Sequence, residues 1–182
     1  MLKLISVFFF FCLIFDANAD NKKKIIKNLE NTYSLSFKFE QNINGKTENG
    51  NCKVQYPKKI YCEYNKYNNE ILVSNGKSLV IKTITSYYRY PIEKTPLNII
   101  LDKKLLINKI NSSKEKLITN SYINFTIVEN DLKIDVFFDL NTFNIIGWET
   151  IDIYQNKVIT LLYYVKKNQD FKKNIFELPD LN

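Results

Sequence analysis

The 182-residue sequence contains no histidine, and it has only four glycines and four prolines. The lack of histidine excludes His-based zinc sites, Ser–His and Cys–His catalytic pairs, and the usual proton shuttle near neutral pH. The scarcity of glycine and the absence of a fixed-period repeat exclude collagen-like, solenoid and Gly-rich phosphate-loop architectures. An enzyme built from this chain would therefore depend on carboxylates, lysine, tyrosine or a bound cofactor.

The sequence also lacks an apolar run long enough to span a bilayer, which takes about 20 residues. Its longest run, Leu4–Phe15, follows Lys3 and is followed by Ala17-Asn18-Ala19. A basic start, a short apolar run and a small-residue cleavage site are typical of a secretory signal peptide. We therefore predict that residues 1–19 are removed on export and that residues 20–182 form one soluble domain. Cys12 lies inside the apolar run, so lipid attachment there is not predicted.

Arginine is nearly absent, because the 26 basic residues comprise 25 lysines and the single Arg89. With 19 acidic residues the net charge is +7. Phosphate-recognition surfaces favour the planar fork of arginine, and here the lysines are scattered along the chain. The whole chain is rich in lysine, asparagine and isoleucine, so its positive charge is explained by composition and not by a binding surface. We therefore predict no nucleic-acid partner.

Two cysteines remain after the export signal, Cys52 and Cys62, on either side of Pro57. Each shares its alternation with the apolar residues of a predicted strand, so the two can face each other across a hairpin. We predict a disulfide that stabilises the fold by roughly 2.5–3 kcal/mol. A redox-active pair is the alternative, but the close Cys-x-x-Cys spacing is missing, and two thiols alone make a poor zinc site.

Most of the chain alternates with a period of two, which is typical of β-strands. The spacing of Ile25, Ile26, Leu29 and Tyr33 predicts one amphipathic helix over Lys22–Ser34. Thr95-Pro96 predicts the start of a second helix, with Thr95 as the cap. Strands are predicted at Leu35–Gln41, around the two cysteines, and over Glu70–Ser74, Ser78–Thr83, Tyr87–Tyr90, Tyr122–Val128, Leu132–Asp139, Ile145–Tyr154 and Val158–Val165.

About ten antiparallel strands with two or three helices predict a mainly β fold in one domain. A sheet of that length curls, and helices laid on its concave side close it. Aromatic residues occupy alternating positions of nearly every strand. One interpretation is that these residues form an ordinary core. The other is that they leave an apolar cavity for a lipid-like ligand, because two short helices cannot cover the whole apolar face of the sheet.

Catalytic candidates are few. Glu149 and Asp152 near Trp148 can be read as a carboxylate pair for glycoside hydrolysis, although acids on an exposed strand face are the ordinary explanation. Lys77 beside Ser78 weakly suggests Ser–Lys chemistry, but Asn-Gly-Lys is also an ordinary hairpin tip. Because metal-ligand clusters and cofactor motifs are missing from the sequence, we predict no metal and no cofactor.

Several short segments, taken in order, resemble the LolA family of periplasmic outer-membrane lipoprotein carriers. They are Phe39-Glu40-Gln41, Gly50, Pro57, Leu72–Lys77, Thr95-Pro96-Leu97 and Gln155-Asn156. The resemblance implies a single curved antiparallel sheet forming an incomplete barrel, with helices as a lid over an apolar cavity. It also implies a non-enzymatic, monomeric carrier in the periplasm. Its partners would be acylated lipoproteins, an inner-membrane ATP-driven lipoprotein-releasing complex and an outer-membrane lipoprotein acceptor.

Strand parity then predicts the residues that line the cavity. From the sheet they are Leu35, Phe37, Phe39, Val54, Tyr56, Ile60, Tyr64, Ile71, Val73, Leu79 and Ile81, with Leu97, Ile100 and Leu101 from the lid. Tyr56 stands where family members often carry an arginine associated with lid closure, and we expect its hydroxyl to bond a lid carbonyl less strongly. An exported binding protein for another lipid or amphiphile is the alternative function, followed by a carboxylate-based envelope hydrolase.

Overall fold

The computed structural model describes residues 17–66, 69–118, 121–152 and 155–181. Residues 1–16, which include most of the predicted export signal, lie outside the described residues. The three described α-helices are α1 (Ala17–Glu30), α2 (Leu97–Leu101) and α3 (Lys103–Ser112). None of them has the length and apolar character needed to cross a membrane.

Eleven strands form one antiparallel sheet within the described part of the chain. The strands are β1 (Ser34–Ile43), β2 (Lys46–Gln55), β3 (Lys59–Tyr64), β4 (Ile71–Asn75), β5 (Ser78–Lys82), β6 (Tyr87–Pro91), β7 (Glu115–Ile118), β8 (Tyr122–Glu129), β9 (Leu132–Asp139), β10 (Ile145–Ile151) and β11 (Lys157–Lys167). Their spatial order is β6-β5-β4-β3-β2-β1-β11-β10-β9-β8-β7, so the sheet is not closed into a barrel. The predicted fold class is confirmed, and β7 is a strand that the sequence reading did not identify.

The two faces of the sheet can be followed through its register, because residues directly opposite each other share a face. Phe37 lies opposite Cys52, and Cys52 lies opposite Cys62. On the other half of the sheet, Trp148 lies opposite both Thr160 and Val136. These residues belong to the inner face, where the buried apolar side chains pack with those of the helices into one core.

Helix α1 ends earlier than its apolar spacing predicts, at Glu30 instead of Ser34. The Thr32 amide donates to the Leu29 carbonyl, and the Thr32 hydroxyl donates to the Asn28 carbonyl, so two terminal carbonyls are satisfied by Thr32. Tyr33, predicted on the helix, is exposed beyond it and donates its hydroxyl to the Asn168 carbonyl.

The predicted second helix is two helices separated at Asp102. The backbone of Asp102 is extended (φ −88°, ψ 90°), and its carboxylate accepts a hydrogen bond of 3.1 Å from the Leu105 amide. Asp102 therefore caps α3, which is a common role for aspartate. Thr95 is not the cap of α2 as predicted, because its hydroxyl donates to the Ile92 carbonyl and closes the preceding turn.

The C-terminal tail covers part of the outer face. A 3₁₀ turn at Lys173–Phe176 packs on β3 and β4, and Phe176 is buried. Val73 and Val80, which face each other on β4 and β5, are also buried although the helices lie on the opposite side of the sheet. The fold thus has a main core inside the curved sheet and a small apolar layer outside it.

Candidate functional site

The cysteine hairpin forms part of the inner face. Cys52 and Cys62 are directly opposite on β2 and β3, with 4.1 Å between their Cα atoms, and their sulfurs are bonded. Both cysteines are buried, and Leu72 continues the same row on β4. The predicted disulfide is confirmed. It joins β2, the neighbour of the central strand β1, to β3.

Aromatic rings fill the middle of the inner face. Phe37 meets Trp148 edge to face, with 6.4 Å between ring centroids, and Phe39 meets Tyr64 at 4.9 Å. The ring of Phe39 lies over Gly50, where an added Cβ would stand 2.7 Å from the ring and 2.1 Å from the Glu63 carbonyl oxygen. Gly50 is therefore required for this close approach. Trp148 belongs to this apolar layer, with only 7% of its surface exposed.

Helix α2 lies over the inner face and, together with α3, forms what we call the lid (Leu97–Ser112). Between α2 and the sheet is a residual cavity of about 10 Å³. A space of that size holds about one water molecule. Its lining is apolar apart from Tyr56, and it comprises Leu35, Phe37, Val54, Tyr56, Ile60, Leu97, Ile100, Leu101, Ile145, Trp148 and Leu162.

Eight of the fourteen predicted lining residues border this cavity. Phe39, Tyr64, Leu79 and Ile81 lie on the same inner face but in other parts of the core. Three lining residues were missed, namely Ile145, Trp148 and Leu162. The alternation of apolar residues in β10 and β11 predicts that these segments are strands, but it does not say which of their side chains point inward.

The assignment of Ile71 and Val73 to the cavity was wrong. Cys62 lies opposite Leu72, so Leu72 points inward and its neighbours Ile71 and Val73 point outward. A shift of one residue in register moves every side chain of a strand to the other face, and the β3–β4 connection decides that parity. Ser74, also inward, is buried and donates its hydroxyl to the Lys58 carbonyl at 2.8 Å.

Lysine side chains hold the α2–α3 junction closed from two sides. Lys58, at the β2–β3 turn, donates its amide to the Leu101 carbonyl at 2.8 Å and pairs its ammonium with Asp102 at 3.2 Å. Lys103 donates to the carbonyls of Glu30 and Thr32, at 3.1 and 2.9 Å, where α1 ends. A cation is favoured at a helix C-terminus because the last carbonyls carry partial negative charge.

Tyr56 is placed beneath Lys103, and its hydroxyl does not bond the lid as expected. The Lys103 ammonium lies 5.7 Å from the centroid of the Tyr56 ring, which is a cation–π distance. The Tyr56 hydroxyl is buried, and no described residue is its hydrogen-bond partner. Burial raises the pKa of this phenol above its ordinary value of 10.0. The cation of this pair, Lys103, therefore belongs to the lid, and the aromatic ring, Tyr56, directly follows β2.

The catalytic candidates are engaged in local contacts. Glu149 pairs with Lys157 at 2.9 Å, and Asp152 accepts from the Asn156 amide at 2.8 Å within the β10–β11 turn. The Ser78 hydroxyl accepts from the Arg89 guanidinium at 3.1 Å. In the described ranges, acidic and cysteine side chains do not gather in threes or more to form a metal site. Each of these three side chains therefore has a local structural partner.

Comparison with known proteins agrees with the geometry of a sheet, a lid and an apolar interior. A family model described as outer membrane lipoprotein carrier protein LolA matches residues 30–179. A conserved protein from Thermus thermophilus has the same fold, with a TM-score of 0.52, 6% identity, and coverage of 90% of this chain and 95% of that one. No curated protein sequence matches.

Two further solved structures align over most of both chains. One is a LolA superfamily protein from Nitrosomonas europaea, with 7% identity, a TM-score of 0.47 and coverage of 88% of this chain and 97% of that one. The other is the lipoprotein LppX of Mycobacterium tuberculosis, with 9% identity, a TM-score of 0.44 and coverage of 85% and 97%. The family match spans well over half of the sequence, and this chain therefore belongs to the LolA family of outer membrane lipoprotein carrier proteins.

Proposed function

We propose that this protein carries lipoproteins across the periplasm and encloses their acyl chains between the inner face of the sheet and the lid. In this proposal it receives cargo from an inner-membrane ATP-driven releasing complex and passes it to an outer-membrane acceptor. The observation that carries the proposal is the apolar layer around Trp148, which is covered by a lid whose α2–α3 junction is attached through Lys58 and Lys103. Membership of the LolA family supports it.

The energetics explain why such a carrier is needed and why it must open. Exposing an acyl chain of about sixteen carbons to water costs on the order of 12 kcal/mol, at roughly 0.8 kcal/mol per methylene. The cavity between α2 and the sheet measures only about 10 Å³, which is far less than an acyl chain occupies. Binding therefore requires the lid to move, and the ligand shifts the population from the closed to the open form.

The single tryptophan provides the test, because Trp148 borders the interior. A lipoprotein whose acyl chains carry bromine is mixed with the protein, and Trp148 emission is followed. We expect quenching by the brominated form, none by the unbrominated form, and displacement by a triacylated lipoprotein but not by its unacylated polypeptide. The matched control is the double variant Trp148→Phe with Tyr122→Trp, which moves the fluorophore to the outer face of β8.

Each outcome is informative. Quenching in the wild type and its loss in the control variant support entry of acyl chains into the interior. Equal quenching in both proteins contradicts an interior site. Displacement by free fatty acid but not by the triacylated lipoprotein would indicate that the protein binds another lipid and is not a lipoprotein carrier.

A further inference from the structure

A second surface lies on the outer face of the sheet, away from the lid. A groove of about 260 Å³ runs across β1, β2, β3 and β11. We call it the basic groove, and the outward-facing residues that line it include Lys38, Lys53, Tyr61, Glu63, Tyr164 and Lys166. None of the described tail residues lines it, so the tail does not cover this part of the outer face.

The groove has an excess of positive charge. Its lining contains three lysines and one carboxylate, and the Glu63 carboxylate already accepts a 2.5 Å hydrogen bond from the Tyr61 hydroxyl. Ser36 lies opposite Lys53 on one side and Lys166 on the other. Neighbouring strands are about 4.8 Å apart, so these two exposed lysines stand roughly 10 Å apart on one row. Neither ammonium group forms an ion pair or hydrogen bond with a described residue.

A β-bulge supplies the apolar part of this surface. Lys38 lies opposite Tyr163 while Ser36 lies opposite Lys166, so two residues of β11 face one residue of β1. At the bulge Tyr164 has φ +54° and is 78% exposed, with the Lys38 ammonium 5.5 Å from its ring centroid. A bulge re-aims side chains in this way. Tyr163, opposite Lys38, and Leu161, opposite Glu40, are exposed along the same strand and extend the apolar strip.

We propose that the basic groove and its tyrosine strip dock this protein on an anionic lipid bilayer. The charge excess attracts acidic headgroups, and each lysine near such a surface strengthens binding about fivefold. Tyrosine has an apolar ring and a polar tip, which suits the boundary between headgroups and acyl chains. An acidic protein partner is the competing occupant, and binding to vesicles that contain no protein distinguishes the two. This proposal is independent of the cargo bound on the inner face.

The test measures co-sedimentation of the exported protein with vesicles. Its N-terminus is determined first, because an uncleaved Leu4–Phe15 would itself bind lipid. Vesicles of phosphatidylethanolamine and phosphatidylglycerol are compared with vesicles of phosphatidylcholine alone. The double variant Lys53→Gln/Lys166→Gln is compared with Lys23→Gln/Lys116→Gln, which removes the same charge from exposed positions on α1 and β7. Tyr164→Asn tests the strip, since asparagine tolerates a positive φ and the bulge is kept.

We expect binding to the anionic vesicles only, weakened by added salt. The groove variant loses about 25-fold in partitioning, and the control variant loses at most a few-fold. Tyr164→Asn weakens binding without removing its dependence on anionic lipid. Equal binding to both vesicle types, equal losses in the two double variants, or no binding to anionic vesicles would each overturn the proposal. Quenching of Trp148 by brominated cargo is a separate measurement, so failure of one proposal is distinguishable from failure of the other.

Discussion

Lys103 is the side chain whose removal should most directly loosen the lid. Among the described lysines it is the one that joins the start of α3 to the end of α1, through the Glu30 and Thr32 carbonyls, and that also lies over the Tyr56 ring. The perturbation is Lys103→Ala. The matched control is Lys104→Ala, since Lys104 is the next residue on α3, is exposed, and makes no side-chain hydrogen bond or ion pair with a described residue.

The size of the effect follows from these contacts. A hydrogen bond to a charged group stabilises by about 1.5–3 kcal/mol when well buried, and a cation–π contact adds about 0.5–1 kcal/mol. Lys103 is half-buried, so solvent screening reduces both, and we expect the closed form to lose about 1–2 kcal/mol. That loss raises the open population, and therefore the apparent affinity for an acyl ligand, about five- to thirtyfold.

The assay is titration of each variant with a fluorescent fatty-acid probe, accompanied by thermal unfolding. Lys103→Ala should bind the probe more tightly than the wild type, and Lys104→Ala should match the wild type. If Lys103→Ala only lowers Tm and leaves probe affinity unchanged, Lys103 stabilises the fold generally and does not control the lid. If both variants bind alike, the inference that this contact holds the lid closed is refuted.

Three further outcomes test other parts of the structure. Phe176→Ala should lower the free energy of unfolding by about 3–5 kcal/mol and leave probe affinity unchanged, because the side chain packs on the outer face; a matching change in affinity would contradict this. Tyr56→Phe should leave Tm unchanged or raise it, because the substitution removes a buried hydroxyl that has no described hydrogen-bond partner. A fall in Tm of several degrees would show instead that this hydroxyl is hydrogen-bonded in the folded protein. Burial, together with two neighbouring glutamates, raises the pKa of Tyr64 above 10.0. The neutral Tyr64 phenol therefore stabilises the fold fully below pH 10, and this stabilisation is lost as the pH rises further. Urea unfolding at increasing pH measures this loss.

Strand alternation predicted the sheet closely, because a period of two is a local property of each strand. Leu132, Ile134, Val136 and Phe138 alternate along β9, and three of them are fully buried. Asn75-Gly76 predicted a tight turn, and the backbone there has φ +97° at Gly76 with β4 paired to β5. Local patterns also predicted the cysteine hairpin, in which opposed positions on two strands are separated by a single short turn.

The face of each strand was harder to predict, and β4 shows why. Both Leu72 and Val73 are buried, so apolar character alone does not distinguish the inner face from the outer. The tail supplies a second apolar layer outside β4, and the sequence has no local signal that the tail returns to that strand. The break at Asp102 was missed for a related reason, since the apolar spacing of Leu97, Ile100, Leu101 and Leu105 continues across it.

By itself, the sequence determined that this chain forms an antiparallel sheet with a disulfide-linked hairpin and an apolar face, because those features are encoded in neighbouring residues. Only the tertiary structure decided which side chains meet inside, that Lys103 and Tyr56 form the lid contact, and that the cavity beneath α2 is reduced to about 10 Å³. These properties depend on how elements distant in the chain pack together. Strand register and helix position determine that packing, and neither can be predicted from the pattern of neighbouring residues alone.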